Sequence, residues 1–122
     1  WLDECIKYAR VRKVGGQPIS KYQVVAEKIV NMRLRLETAR LLLQKAAWIR
    51  EKKSAMVESA MTKAYVSKAY VDNCRDAMQI HGSYGYMVEY NLERERRDAL
   101  ASTLYSGTSE IQKNLVAGLM GL

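Results

Sequence analysis

The 122-residue sequence contains no phenylalanine, one proline and one histidine. A single proline leaves long stretches free to run as unbroken helix. One histidine and two isolated cysteines, Cys5 and Cys74, match no metal-ligand spacing and supply no Ser-His-Asp set. Two cysteines make no disulfide framework. Both are expected to be small buried thiols, which suits a reducing compartment. No apolar run reaches the roughly 20 residues needed to cross a bilayer, and no signal peptide is present. No stretch alternates apolar and polar residues over strand length. Disulfide scaffolds, zinc modules, membrane-spanning proteins and all-β domains are therefore set aside.

What is present is a helix-forming vocabulary of Ala, Leu, Met, Glu, Lys and Arg, in a length that suits one domain. The chain starts Trp1-Leu2-Asp3, already in helical register and without Met. It is expected to be a piece of a longer polypeptide. The net charge is +7, but basic residues are spread among acids, as in Glu93-Arg94-Glu95-Arg96-Arg97-Asp98. Solvated helix faces with i,i+4 pairs such as Glu93 with Arg97 account for this pattern. No nucleic-acid motif accompanies the charge, so no nucleic-acid partner is expected. A positive field would also draw anionic cofactors.

Periodicity predicts a first helix over Trp1 to Arg12, with Leu2, Cys5, Ile6 and Ala9 on one face. Val14-Gly15-Gly16-Gln17-Pro18 breaks it. A Ser20–Gln23 capping box opens a second helix that should reach about Arg50. Its seam is Val25, Ile29, Met32, Leu36, Ala39, Leu43 and Ala46, with a second stripe through Leu34, Leu41 and Trp48. A helix apolar on two sides is buried on two sides, by its own bundle and by a partner. After the polar connector Glu51-Lys52-Lys53, Ser54 should cap a third helix reaching His81. Its seam is Val57, Ala60, Ala64, Ser67, Val71, Cys74 and Met78, and Gly82 ends it. Asn91 should cap a fourth helix through Leu104. Thr108 or Ser109 begins a short last helix, with Ser109 and Gln112 as another capping box. Short connections between long helices favour an antiparallel four-helix bundle, all-α, with a short extra C-terminal helix.

Three segments invite a functional reading, and each has a plainer one. Gly107-Thr108-Ser109-Glu110 offers free backbone N–H groups at a helix start, which suits an anion or serves only as a cap. Gln79 to Tyr86 carries Gly82 and Gly85, which allow close approach of a ligand or simply a turn. Arg12, before the Gly-Gly-Gln-Pro loop, either pairs with a phosphate or completes a helix C-terminus. Gln23 is a cap or a ligand contact. The lone His81 reads as a hydrogen-bonding loop residue.

In order along the chain stand Arg12-Lys13, Gly16 with Pro18, Tyr22-Gln23, Leu36-Glu37-Thr38-Ala39-Arg40, Ala46-Ala47-Trp48, Gln79-Ile80-His81-Gly82, Gly85-Tyr86, Arg97-Asp98-Ala99 and Gly107-Thr108-Ser109-Glu110-Ile111-Gln112. That series resembles the C-terminal helical domain of acyl-CoA dehydrogenases from Trp1 nearly to Leu122. The resemblance implies FAD held across a subunit interface, a homotetramer built as a dimer of dimers, an acyl-CoA or other acyl-thioester substrate, and an acceptor such as an electron-transfer flavoprotein. The reducing compartment that suits Cys5 and Cys74 is expected to be cytoplasmic or the mitochondrial matrix. By position, Arg12, Val14, Tyr22 and Gln23 match contacts to the adenosine diphosphate part of a neighbouring subunit's FAD. Gln79, Ile80, His81, Gly82 and Ser83 match a second contact to the same part. Thr108, Ser109 and Glu110 match FAD contacts, and Gly107 a substrate contact. Three positions depart from the family pattern. Gly15 replaces an aromatic residue, and Ser83 a common glycine. Ser106 stands where the family's usual catalytic glutamate takes the α-proton. A serine hydroxyl is too weak a base for that proton without an activating partner. The resemblance therefore puts the working carboxylate upstream of Trp1. A flavin-dependent relative using oxygen, or a non-catalytic structural subunit, is the alternative.

Overall fold

The computed structural model describes residues 1–122, and its frame is helical. The first helix, α1, spans Leu2–Val11 and buries Cys5 and Ala9. The Val14–Pro18 break closes as a minimal hairpin of β1 (Lys13–Val14) and β2 (Gln17–Pro18), with Lys13 opposite Pro18 and Val14 opposite Gln17. No strand was expected here. The reason is local: Gly15 and Gly16 both take positive φ (58° and 83°), the conformation that lets a two-residue loop reverse the chain.

The predicted Ser20–Gln23 capping box does not form. Ser20 lies in a single 3-10 turn, Ile19–Lys21, and α2 begins at Gln23 with Tyr22 at its cap and no side-chain cap bond. The buried Ile19 draws the chain into the core at this point and tightens the turn. From there α2 runs to Arg50, a rod of about 42 Å. Its seam holds at Val25, Ile29, Met32, Leu36, Ala39 and Ala46, but passes through Leu42 and Ile49 rather than Leu43, which is exposed. Spacings of three and four both fit a 3.6-residue helix, so either Leu42 or Leu43 can follow Ala39, and packing against α3 takes Leu42. Leu34, Leu41 and Trp48 lie exposed, as expected of the second apolar stripe.

The next helix, α3, spans Met56–His81. Its cap is the buried Ala55 and not Ser54, so burial at the connector outweighs capping chemistry. The two long helices are antiparallel. Thr62 bonds back to the Leu42 carbonyl at one end, while Arg35 reaches Asn73 and Asp76 toward the other. The seam Ala60, Ser67 and Cys74 is buried, with Ala69, Ala77 and Ile80 beside it. A one-turn helix, α4 (Ser83–Tyr86), was not expected. Then come α5 (Leu92–Ala101) and α6 (Ser109–Leu119). Asn91 occupies the cap of α5 with φ 56° but makes no side-chain cap bond. That helix stops at Ala101, short of Leu104, where tight turns take over. Thr108, not Ser109, caps α6 by accepting from the Ile111 N–H.

Each of α1, α2, α5 and α6 packs on α3, so α3 is the axis of the fold. The arrangement is consistent with the expected bundle. The innermost cluster is Cys5, Ala9, Ile19, Met32, Ala77, Ile80 and Leu92. Burial pushes both thiols up to about 11, so both stay protonated at neutral pH. The expected ion pairs line the exposed faces, among them Glu93 with Arg97 at 3.0 Å and Asp72 with Lys68 at 2.8 Å.

Gly85 is buried where α4 meets the end of α3. A Cβ there would stand 2.7 Å from the Met78 carbonyl oxygen and 3.0 Å from its Cα. Backbone cannot yield as a side-chain tip does. Gly85→Ala should therefore lower unfolding free energy by about 1–3 kcal/mol, measured by urea titration of the flavin-free protein. A loss below 0.5 kcal/mol, about the limit for ordinary surface changes, would show that α4 shifts freely on α3.

Candidate functional site

Two separated segments meet in one cleft of about 460 Å³. The first arrives at the C-terminus of α1 and through the hairpin, carrying Arg12 and Val14 and then Tyr22. The second is the end of α3 and its exit, Gln79 to Ser83. The buried Ile19 holds the hairpin down, and its N–H donates to the Arg12 carbonyl at 2.8 Å. The Tyr22 hydroxyl donates to the Val14 carbonyl at 2.8 Å and stands 2.8 Å from where a Gly15 Cβ would be. Glycine at 15 thus leaves its side-chain space to Tyr22, which closes the hairpin across that position.

The structure corrects the reading of His81 as a loop residue. It is the last residue of α3, buried, and its Nδ1 lies 2.9 Å from the Ala77 carbonyl. The Tyr8 ring stacks on it at 4.3 Å, and the Tyr8 hydroxyl donates to its carbonyl at 3.3 Å. His81 is a wall of the cleft held by packing. The cleft also recruits Tyr8 and Lys28, which the sequence did not single out, and Tyr84, which lay in the Gln79–Tyr86 segment without a role of its own. Tyr8 could have been found, because it lies four residues before Arg12 on the same helical face. Lys28 and Tyr84 become neighbours only when α2 is laid against the end of α3. Arg12 sits 5.9 Å from the centre of the Tyr84 ring, within cation–π range. Gln23, at the first turn of α2, is exposed and outside the cleft lining.

The donor set suits a phosphate-bearing, partly aromatic ligand. Arg12 and Lys28 supply cations, Gln79 and Ser83 polar contacts, and Tyr8, Tyr22 and Tyr84 flat apolar surface. The adenosine diphosphate part of FAD fits that chemistry.

Gly107, Thr108, Ser109 and Glu110 lie elsewhere, at the turn before α6. Lys63 of α3 donates to the Gly107 carbonyl at 2.6 Å, which fixes this turn beside the N-terminal half of α3. From Lys63 to His81 is 18 residues of helix, about 27 Å. The two candidate patches are thus well apart on one rigid rod. The Glu110 carboxyl is held below its usual value by its own backbone N–H and by the Thr108 hydroxyl, as expected in the first turn of a helix. Ser106 takes φ 55°, and no carboxylate lines the small pocket beside it. The predicted Ser109–Gln112 capping box is absent. Gln112 instead folds back to donate to the Ser106 carbonyl at 3.0 Å.

The family profile described as acyl-CoA dehydrogenase, C-terminal domain, matches residues 1–120. The caffeyl-CoA reductase–Etf complex subunit CarC of Acetobacterium woodii is 43% identical over 98% of this chain and 32% of its own length. The solved prolyl acyl carrier protein oxidase AnaB superposes with a TM-score of 0.97 at 50% identity, covering 99% of this chain and 32% of that one. A solved FAD-dependent dehydrogenase superposes at 0.95 with 40% identity, covering 99% and 33%. The chain spans about a third of the length of these relatives. A profile that covers nearly every residue, on a fold this close to solved relatives, places the chain in the acyl-CoA dehydrogenase family, as its C-terminal helical domain.

Proposed function

We propose that this chain is the flavin-binding and assembly domain of an FAD-dependent enzyme that desaturates an acyl thioester between its α and β carbons. The observation that carries the reading is the convergence of Arg12, Tyr22 and the Gln79–Ser83 exit in one cleft, at the positions the family resemblance assigns to FAD. Arg12 and Lys28 would face the cofactor's phosphates, and Gln79 and Ser83 would bond its polar edge. The turn at Gly107 to Glu110 would contact a second FAD, because 27 Å of helix separates it from the cleft. One domain then serves two cofactors, which accounts for an obligate oligomer, with a dimer of dimers as the assembly. The exposed stripe of Leu34, Leu41 and Trp48 supplies apolar surface for it.

When bound, FAD supplies the acceptor for the hydride that leaves the β carbon. The α-proton needs a base. Ser106 cannot serve, so we place the base on a carboxylate outside residues 1–122. The substrate is an acyl-CoA or a carrier-protein thioester, both represented by the names of relatives above. The electron acceptor is an electron-transfer flavoprotein, and the setting a cytoplasmic or matrix one. No helix is long and apolar enough to cross a membrane.

The full-length protein should copurify with FAD and be bleached anaerobically by acyl thioesters. A flavin-free or unbleached protein would overturn the reading in favour of a structural subunit. Ser106→Ala should retain most of the bleaching rate, whereas loss of a true base costs about 10²-fold or more. A collapse with flavin still bound would put Ser106 in the chemistry. A second reading, with oxygen as acceptor, is favoured by the likeness to a prolyl acyl carrier protein oxidase. Stoichiometric peroxide formation during aerobic turnover would select it.

A further inference from the structure

The turn that enters α6 holds a residue other than glycine in the left-handed region. Ser106 and Gly107 both take positive φ, 55° and 85°, and Ser106 is not glycine. A side chain in the left-handed region persists only where the surroundings over-determine it. Two side chains do so here. Gln112, from within α6, donates to the Ser106 carbonyl at 3.0 Å. Lys63, from the N-terminal half of α3 and 44 residues away, donates to the Gly107 carbonyl at 2.6 Å. Gln112 moves with the helix that follows the turn, so it cannot set where the turn sits on the domain. Lys63 can, because α3 is the axis on which the rest packs.

The two anchored carbonyls have a consequence for the N–H groups. A trans peptide points its N–H opposite to its C=O. With the Ser106 and Gly107 carbonyls held by Gln112 and Lys63, the Gly107 and Thr108 N–H groups are aimed away from those anchors. Neither donates to an acceptor in the chain. They are preset donors whose direction is fixed from the carbonyl side.

We infer that Lys63 is a positioning residue: its ammonium pins the Ser106–Gly107 turn to α3 and so sets the direction of the free N–H groups at the start of α6. The use of those groups in thioester chemistry rests on the function proposed above, but the pinning does not. Lys63 also contributes positive charge near Glu110, so replacing it alters both geometry and field at one site.

The test is Lys63→Met in the full-length flavoprotein, read in two independent ways. Hydrogen exchange over residues 104–112 should accelerate by about tenfold, while exchange in α2 is unchanged. Anaerobic reduction of the bound flavin at saturating acyl thioester should slow by about 10²-fold, the cost a misplacement near 1 Å can carry, with half-saturation little altered. Lys63→Arg, which keeps a donor and the charge, should recover both within about threefold. Unchanged exchange in the Met variant would overturn the pinning. Faster exchange with an unchanged reduction rate would overturn the link to the chemistry. If wild-type protein is not bleached by thioesters, the proposed function fails while the exchange result still decides the pinning. Should the Met variant not accumulate, Lys63→Leu, which likewise has no donor for the Gly107 carbonyl, is read in the same exchange assay. An exchange rate equal to wild type overturns the pinning there too.

Discussion

Arg35→Met should lower unfolding free energy by about 3 kcal/mol, the usual cost of removing one partner from a buried ion pair. Arg35 sits on α2 and donates from Nη1 to Asp76 at 2.8 Å and to Asn73 at 2.9 Å. Asp76 is only 5% exposed, and Asn73 in turn donates to the Met32 carbonyl at 3.3 Å. This clasp is the polar register mark between the two long helices. Its other cations are distant: Lys28 is 4.0 Å from Asp76 and Arg75 3.9 Å. Removing Arg35 leaves a buried carboxylate with only those two long contacts. Removing both partners relieves the problem, since apolar replacements of similar volume are often neutral. Arg35→Met with Asp76→Leu should therefore recover at least half of the loss. Urea unfolding of the flavin-free single and double variants measures this. A single-variant loss under 1 kcal/mol would mean that Lys28 and Arg75 move in to neutralise Asp76.

Arg12→Ala in the full-length protein should weaken FAD binding by about ten- to a hundredfold, with little change in the stability of the flavin-free fold. A hydrogen bond to a charged group contributes about 1.5–3 kcal/mol, and Arg12 is one of two cations lining the cleft. Its guanidinium is exposed, and its cation–π partner Tyr84 is at 5.9 Å, so the fold has little to lose. Flavin retention during dialysis and the melting temperature of the apo form separate the two effects. Equal flavin content in variant and wild type would remove Arg12 from the site. Gln23→Ala is the useful companion. Gln23 makes no cap bond, so its stability effect should be near zero, and any flavin loss reports on ligand contact alone.

The helical class, the long second and third helices and most of their buried faces were legible in the sequence, because a 3.6-residue period is written directly in the spacing of apolar side chains. The glycine-bearing segments were legible as interruptions for the same local reason. Capping was legible only in part. Thr108, one of the two expected starts of α6, does cap it, but Ser20 and Ser54 yield to Tyr22 and Ala55, because burial of Ile19 and Ala55 sets where α2 and α3 begin. Leu42 displaced Leu43 from the seam because either residue fits the helical period after Ala39, and packing on α3 made the choice. The site divides in the same way. Arg12, Tyr22 and Gln79 to Ser83 stood out by their order along the chain. That they share a cleft, that His81 is one of its walls, that Lys28 joins them and that Lys63 pins a turn 44 residues away were decided by packing on α3. Side chains far apart in sequence meet only through a shared helix, and local spacing carries no record of that meeting.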